Sequence, residues 1–348
     1  MKGIVCEEVG VFRMLDSMPE PKLTEEHAIV SIRRIGICGT DYHAFKGNQP
    51  FFQYPRILGH ELSGVIEQIG ENTAGLAAGD KVAIIPYLHC GQCIACRRGT
   101  TNCCMNMQVL GVHVDGGMRE RIAVPVSHLI QADGLTLDEA AMIEPLAIGA
   151  HAVRRADIGP HDTVLVIGSG PIGLAVMAFA KHTGAKVIAM DINEERLAFC
   201  RAWAKADETM NALTMELTNN GEQIDVKQRL AKLTNGEFPT AVFDATGNVS
   251  SMKDSFELVA HGGQLIFVGL VKGEISFSDP EFHKRELTLM GSRNATAADF
   301  QHVAAVLRSG SLDINQYITH RSPFDQMIDE FEIWLNPTSK VIKAIVEV

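Results

Sequence analysis

Five of the eight cysteines in this 348-residue chain fall within one segment of fifteen positions. Cys90, Cys93 and Cys96 are spaced by two residues each, and the adjacent pair Cys103 and Cys104 follows. Four thiolates satisfy tetrahedral zinc, and spacers this short let a single loop surround the ion. An iron–sulfur cluster uses similar runs of thiolates and is the alternative. The spacing predicts a zinc site with a closed ligand shell, hence a structural one, and leaves the choice between Cys103 and Cys104 open.

A second set of possible metal ligands is scattered along the chain. Cys38 lies in the segment Gly-Ile-Cys-Gly-Thr-Asp, and His60 and Glu61 are consecutive. Glu144 stands in an apolar stretch, where a carboxylate is costly unless it meets a cation or a donor. Pro145, which follows it, predicts a break in the helical hydrogen bonding. One thiolate, one imidazole and one or two carboxylates leave a coordination position open, as catalytic zinc requires.

Taken singly, Cys38 and His60 are also typical of buried core residues. Their occurrence beside a nucleotide-binding motif favours the metal. An apolar strand over 164–168 runs into Gly168-Ser-Gly-Pro-Ile-Gly and then into a helix. Gly168, Gly170 and Gly173 allow a tight turn and the close approach of a pyrophosphate to the helix N-terminus.

Asp191 ends the next predicted strand, 23 residues after the first glycine of this turn. A carboxylate at this position suits a hydrogen bond to the 2′-hydroxyl of the adenosine ribose. Because it would repel a 2′-phosphate, the sequence predicts NAD rather than NADP as the cofactor.

The hydrophobic pattern predicts an α/β protein with two kinds of domain. Residues 1 to about 135 contain short β-type runs separated by Gly, Pro, Asn and Asp, which indicate a barrel or an irregular sandwich. A helix is predicted over 137–156, and strands and helices alternate from residue 163, as in a doubly wound parallel sheet. These strands are predicted at 164–168, 186–191, 240–244 and 264–269, with helices at 172–183 and 194–205. The predicted domains are a catalytic domain over 1–150, a nucleotide-binding domain over 151–290, and a C-terminal segment over 291–348 that returns to the first.

Composition excludes several classes of partner. The net charge is −11 without a basic block, which is unfavourable for binding nucleic acid or an anionic membrane surface. No apolar run reaches the roughly 20 residues of a membrane span, and the N-terminus lacks a signal-peptide pattern. We therefore expect a cytoplasmic protein, in whose reducing surroundings clustered cysteines indicate metal rather than disulfides.

Taken together and in this order, the motifs resemble those of the zinc-dependent medium-chain dehydrogenases across nearly the whole chain. The sequence is most similar to the polyol and threonine dehydrogenase branch, in which a glutamate stands where alcohol dehydrogenases have a cysteine. Further stretches resemble the bacterial sugar-acid dehydrogenases of that branch: Gly47–Phe52, Thr101–Cys104, Gly111–Gly117, Ser278–Lys284 and Gly291–Thr296.

The resemblance implies a GroES-like β-barrel catalytic domain and a Rossmann domain, with two zinc ions per chain. It implies that Cys38, His60 and Glu144 hold the catalytic zinc with Glu61 as an adjacent or alternating ligand, and that Cys104 completes the structural site. It also implies a homodimer or homotetramer. Further cofactor contacts implied in the same way are Ile172, Asp191, Arg196, Val268, Gly269, Leu270, Ser292 and Arg293.

The predicted reaction is reversible hydride transfer between a secondary alcohol and NAD. Thr40 can pass the released proton through its hydroxyl group, and the imidazole ring of His43 can receive it. The alternative for His43 is an ordinary loop histidine. The resemblance implies that the substrate is a polyol or a sugar acid, namely a hexonate such as L-galactonate. Arg293 is the candidate for recognising such an acid, because its guanidinium group suits a carboxylate. Contact with the cofactor or with a neighbouring chain is the alternative for Arg293.

Two other functions remain open from the sequence. The same machinery suits oxidation of L-threonine or of a simple secondary alcohol. A regulatory protein that binds NAD and zinc without turnover is the alternative from outside the enzymes.

Overall fold

The computed structural model describes residues 1–48, 52–214, 216–217 and 223–348. The chain forms two compact units, one of Met1–Ala147 with Asn294–Val348 and the other of Ile148–Arg293. Of the segment Gly47–Phe52, residues 49–51 lie outside the described part. Among the described residues, no helix is both long and apolar enough to cross a bilayer.

The N-terminal part of the first unit is mostly β. Its elements in chain order are β1 Gly3–Glu8, β2 Val11–Leu15, β3 His27–Ile37, α1 Gly39–Phe45, β4 Glu61–Ile69, β5 Lys81–Ile84, β6 Tyr87–Leu88, α2 Ile94–Arg97, β7 Gln108–Val109, β8 Arg121–Pro125, β9 Leu129–Gln131 and α3 Leu137–Ala156.

The second unit alternates strands and helices, as predicted. Its elements are β10 Thr163–Ile167, α4 Pro171–His182, β11 Lys186–Asp191, α5 Glu194–Ala202, β12 Glu208–Asn211, β13 Glu216–Leu217, β14 Gln223–Ile224, α6 Val226–Leu233, β15 Ala241–Asp244, α7 Val249–Asp254, β16 Gln264–Phe267, α8 Asp279–Lys284 and β17 Thr288–Gly291. The chain then continues with α9 Ala297–Arg308, α10 Ile314–Tyr317, β18 Ile318–Pro323, α11 Met327–Trp334 and β19 Lys343–Glu347.

A seven-stranded sheet organises the first unit. Its order is β18-β19-β3-β4-β5-β9, and β8 also pairs with β3. The eleven-residue β3 can serve three partners because β8 pairs with its first half, residues 27–31, and β19 with its second half, residues 34–37, while β4 pairs along most of its length. The register with β4 shifts twice, after Ile29 and after Ile32, and such bulges bend a strand. One face of α11, carrying Met327, Phe331 and Trp334, belongs to the same buried cluster as the strands.

The pairing of β19 with β3 has a direct consequence for the residues that follow β3. The two strands are antiparallel, and Ala344 lies opposite Ile37. Continued by one residue, this register places Lys343 just beyond the end of β3, opposite Cys38.

The second unit contains a six-stranded parallel sheet in the order β12-β11-β10-β15-β16-β17. This confirms the predicted α/β class. Its central strands are buried along nearly their whole length, as parallel strands covered on both faces must be. The strand order reverses between β10 and β15, and ligands bind in such sheets at the carboxyl ends of the strands where this occurs.

Pro145 interrupts the backbone hydrogen bonding without ending the helix, since α3 continues through it as one helix. Proline removes one backbone donor and clashes with the preceding turn, at about 3 kcal/mol or more. The residues around it, from Ala140 to Ala147, are all buried, and apolar burial of this extent outweighs that cost. Helix α5 ends at Ala202, earlier than predicted, and Lys205 shortly afterwards has a positive φ of 57°.

Candidate active site

The four cysteines of the loop come together. Strands β6 and β7 pair antiparallel and hold the two ends of the loop side by side. Sγ of Cys93 lies 3.5 Å from Sγ of Cys96 and 3.9 Å from Sγ of Cys104. All four ligand atoms of Cys90, Cys93, Cys96 and Cys104 lie within 4.8 Å of one another. Sulfurs bound at about 2.3 Å to a tetrahedral zinc ion lie about 3.8 Å apart, so the loop fits zinc.

The backbone of the loop also favours thiolates. The N–H groups of Cys90 and Asn106 each donate to Sγ of Cys104 over 3.3 Å. Hydrogen bonds from backbone N–H groups, of Met105 first, lower the pKa of Cys93 to about 6. Since the thiolate is the metal-binding form, this arrangement suits a cation. Cys103 is exposed and lies outside the group.

A second group joins Cys38, His60 and Glu61, whose ligand atoms lie within 4.8 Å of one another. Cys38 follows β3, His60 directly precedes β4 and Glu61 is its first residue, and the register pairs Gly36 with Glu61. A Cβ atom on Gly36 would lie 2.1 Å from Oε2 of Glu61, which is a steric clash. Only glycine at position 36 therefore leaves room for the carboxylate of Glu61 beside Cys38 and His60. A sulfur, a nitrogen and an oxygen ligand in a largely buried site form the mixed set found in catalytic zinc sites.

Asp41, which no sequence motif marks as functional, lies beside this group. Its buried carboxylate accepts hydrogen bonds from N–H of Cys38 at 2.8 Å and N–H of Gly59 at 3.4 Å. Oδ1 of Asp41 lies 3.8 Å from Nδ1 of His60. Burial lowers the pKa of His60, but the charges of Cys38 and Asp41 outweigh it and raise the pKa above its usual value. Nδ1 of His60 is buried, and no described residue gives it a hydrogen bond.

Glu61 is neutralised by a second residue that the sequence analysis missed. Nζ of Lys343 lies 2.6 Å from Oε1 and 2.8 Å from Oε2 of Glu61, and it also donates to the carbonyl oxygen of Ile37 at 3.1 Å. Lys343 is 2% exposed. A lysine this deeply buried is typical only when it is paired, and 282 positions separate it from its partner in the sequence.

Glu144 lies outside the group of three ligands, although His60 and Glu61 are close enough to influence it electrostatically. Burial raises the pKa of Glu144 to about 7. Its carboxylate meets a donor, as the sequence required, since the hydroxyl group of Tyr87 donates to Oε1. Tyr87 was not singled out, because nothing in its sequence neighbourhood distinguishes it from a core aromatic residue.

Thr40 and His43 lie three positions apart on α1, which places them on one face of the helix. Thr40 is half-buried and His43 is exposed. They lie two and five positions after Cys38 in the chain.

The second unit contains a cleft of about 980 Å³ at the carboxyl ends of its strands. Four of the predicted cofactor residues line it, namely Gly168, Gly170, Asp191 and Arg196. The others are not among its lining residues: Ile172 and Gly173 lie in α4, Val268, Gly269 and Leu270 follow β16, and Ser292 and Arg293 follow β17.

The glycine turn has the geometry that its motif requires. Gly168 has a φ of +95°, and a Cβ atom on Gly173 would lie 1.8 Å from the carbonyl oxygen of Gly168. The carboxylate of Asp191 accepts hydrogen bonds from N–H of Ser169 at 2.6 Å and of Asn193 at 2.9 Å. These bonds fix the orientation of Asp191 at the cleft.

A buried acid that no sequence motif marks holds two of the residues that line the cleft. Asp244, at the end of β15, accepts from the hydroxyl groups of Thr246 and Ser251, both at 2.6 Å. Thr246 and Ser251 line the cleft, whereas Asp244 is fully buried beneath them.

Replacing Asp191 with Asn should shift the cofactor preference from NAD toward NADP by about 10- to 100-fold. A hydrogen bond to a charged group contributes about 1.5–3 kcal/mol, and each 1.36 kcal/mol is tenfold. The carboxylate also repels a 2′-phosphate, while Arg196 and Lys227 in the same cleft wall attract one. Binding of NADH and NADPH by fluorescence titration measures the shift. Asp254→Asn removes the same charge elsewhere in the cleft, and an equal shift in that variant would contradict the assignment.

Comparison with known proteins yields two family matches. Residues 24–134 match the alcohol dehydrogenase GroES-like domain, and residues 171–309 match the zinc-binding dehydrogenase domain. The GroES-like match confirms the predicted nature of the N-terminal β domain.

Individual relatives cover nearly the whole chain. L-galactonate-5-dehydrogenase of Escherichia coli K12 is 45% identical over 92% of both chains. L-idonate 5-dehydrogenase of Vitis vinifera is 33% identical over 88% of this chain and 83% of its own. Among solved structures, RspB from E. coli CFT073 in complex with NADH superposes with a TM-score of 0.90, at 29% identity, over 100% of this chain and 99% of its own.

Proposed function

The chain belongs to the zinc-dependent alcohol dehydrogenase family, and from that membership we propose that it oxidises a secondary alcohol of a sugar acid, of the hexonate class that includes L-galactonate. It is an oxidoreductase that uses zinc and NAD. The observation that carries the proposal is the grouping of Cys38, His60 and Glu61 in one unit of a chain whose other unit holds the cofactor cleft. Two relatives named for five-position dehydrogenation of hexonates support the substrate class.

The residues present fit two zinc ions. Cys90, Cys93, Cys96 and Cys104 would hold one with no position left open. Cys38, His60 and a carboxylate, Glu61 or Glu144, would hold the other. Zinc at the second position supplies the Lewis acidity that lowers the pKa of an alcohol hydroxyl group.

Other residues of the chain would orient the ligands and move the proton. Asp41 lies 3.8 Å from Nδ1 of His60 and accepts hydrogen bonds from the backbone N–H groups of Cys38 and Gly59, which would hold the two ligand-bearing segments together. The hydroxyl group of Thr40 would accept the substrate proton, and the exposed His43 would release it to water. Asp191 would bind the adenosine ribose in the cleft. The nicotinamide end of the cofactor would then point away from Asp191.

We assign recognition of the substrate carboxylate to Arg293. This residue follows β17 directly, at the carboxyl edge of the parallel sheet where cofactor-binding residues collect. In a protein with a net charge of −11, an anionic substrate requires a local cation.

The test is a screen of NAD reduction across aldonates, neutral polyols and L-threonine, with zinc measured on the same sample. We expect turnover of a hexonate and near two zinc ions per chain. Arg293→Ala should lower kcat/KM for the hexonate by at least about tenfold more than for a polyol, and the exposed Arg201→Ala should lower neither. Turnover of L-threonine alone, or equal losses on both substrates, would contradict the sugar-acid assignment.

We further propose that two copies of the chain associate through β17. This strand pairs with β16 on one side, and no other strand among the described residues pairs with its second edge. Thr288, Leu289 and Gly291 along it are exposed. Exposed apolar strand edges favour pairing with another chain.

The mass in solution should therefore be near twice 37.9 kDa by light scattering. Leu289→Lys should yield monomers, because charge on an edge strand blocks pairing. A wild-type mass of a single chain would contradict the proposal.

A further inference from the structure

The two buried carboxylates near His60 are held by donors of opposite kinds. Lys343 contacts both oxygens of Glu61 with a positively charged group. Tyr87 donates to one oxygen of Glu144 with a neutral hydroxyl group. A cation cancels the charge of its carboxylate, whereas a neutral donor orients a carboxylate and leaves its charge available to a metal ion.

The hydroxyl group of Tyr87 is the only hydrogen-bond donor that the described residues offer to Glu144. Both side chains are buried, Tyr87 at 5% and Glu144 at 4% exposure. A carboxylate buried to this degree needs a donor or a cation, and without Tyr87 its orientation would be unrestrained.

Tyr87 itself is rigidly placed. Its backbone belongs to β6, paired with Val109 of β7, and its carbonyl oxygen accepts from Nε2 of His128 at 3.2 Å. The edge of its ring packs against Phe300 with ring centroids 6.2 Å apart. Because these three contacts hold Tyr87 in place, its hydroxyl group can orient the carboxylate of Glu144, which accepts its hydrogen bond.

We propose that Tyr87 is a positioning residue whose hydroxyl group presents the carboxylate of Glu144 to a divalent metal ion. The hydrogen bond occupies Oε1 and leaves Oε2 for the cation. The inference rests on the proposed function insofar as that function places a metal ion beside Cys38 and His60. Partners of metal ligands in this position typically contribute 10- to 100-fold to metal affinity.

The test titrates the metal-free protein with Co²⁺, whose visible absorption reports ligand geometry, in competition with a chelator. Tyr87→Phe removes the hydroxyl group and keeps the ring that packs on Phe300. One of the two Co²⁺ sites should weaken by 10- to 100-fold, while the spectrum and affinity of the four-cysteine site and the thermal midpoint stay unchanged.

Tyr42→Phe is the matched control. The hydroxyl group of Tyr42 is also buried, and Lys343, Asp41 and Glu61 all influence it electrostatically, but no described residue hydrogen-bonds to it. Its removal should leave both Co²⁺ affinities as in the wild type. Equal weakening in Tyr42→Phe would show a general effect of hydroxyl removal and would overturn the proposal.

A double-mutant cycle shows whether Tyr87 acts through Glu144. Adding Tyr87→Phe to Glu144→Ala should weaken Co²⁺ binding no further. An additional loss in the double variant, or unchanged affinity in Tyr87→Phe alone, would refute the role. Failure of the sugar-acid assignment can be distinguished from failure of the role of Tyr87. In that case the wild-type protein would bind two metal ions and would not turn over a hexonate.

Discussion

Replacing Cys104 with Ser is expected to remove one zinc ion per chain and to lower the free energy of unfolding by about 3 kcal/mol or more. Structural zinc contributes about 10–16 kcal/mol in isolated zinc-finger peptides. A globular protein has only about 5–15 kcal/mol in total, so even part of that contribution is a large fraction. Elemental analysis gives the zinc content, and urea denaturation gives the stability.

The adjacent Cys103 provides an unusually close control. It is exposed and lies outside the sulfur group, so Cys103→Ser should retain both the zinc and the stability. Limited proteolysis should cut the Cys104→Ser protein within residues 90–104 and spare Cys103→Ser. Retention of two zinc ions in Cys104→Ser would exclude this residue as a ligand.

Replacing Cys38 with Ser or His60 with Ala should lower kcat by at least about 10³-fold. A metal ion supplies several kcal/mol of transition-state stabilisation, and about 4 kcal/mol corresponds to 10³-fold. Zinc should fall from two ions to one per chain in both variants, while the cysteine loop retains its own. Steady-state kinetics with the best substrate of the screen, together with elemental analysis, measure both effects.

Cys6→Ala is the control for Cys38→Ser, since Cys6 is a buried cysteine of the same unit outside both ligand groups. It should keep two zinc ions and near-normal kcat. If Cys38→Ser and His60→Ala keep both the zinc and the activity, the catalytic site must lie elsewhere.

Local patterns in the sequence predicted those parts of the molecule that depend on short segments. The residues of the four-cysteine loop lie within about fifteen positions of one another, and so do those of the glycine turn. Their spacing is therefore sufficient to predict how they are arranged. Strand β11 and helix α3 were predicted with their observed bounds because periodicity and end signals agree there.

The parts that were not predicted depend on long-range pairing. Lys343 reaches Glu61 only because β19 pairs with β3, and no local pattern encodes that register. Tyr87 meets Glu144 across 57 positions, and Asp244 acts from beneath the cleft wall. The continuation of α3 through Pro145 has a related cause, since tertiary burial determines whether a helix can continue past a proline.

The ion pair of Glu61 and Lys343 also constrains the order in which the chain can fold. Synthesis proceeds at about 5–20 residues per second, so the 282 positions between them take roughly 15 to 60 seconds to translate. During that interval Glu61 has no counter-ion, and β3 lacks one of its partners. The contiguous segment 148–293 emerges in the meantime and can fold first, so the unit that begins the chain must be the last to be completed.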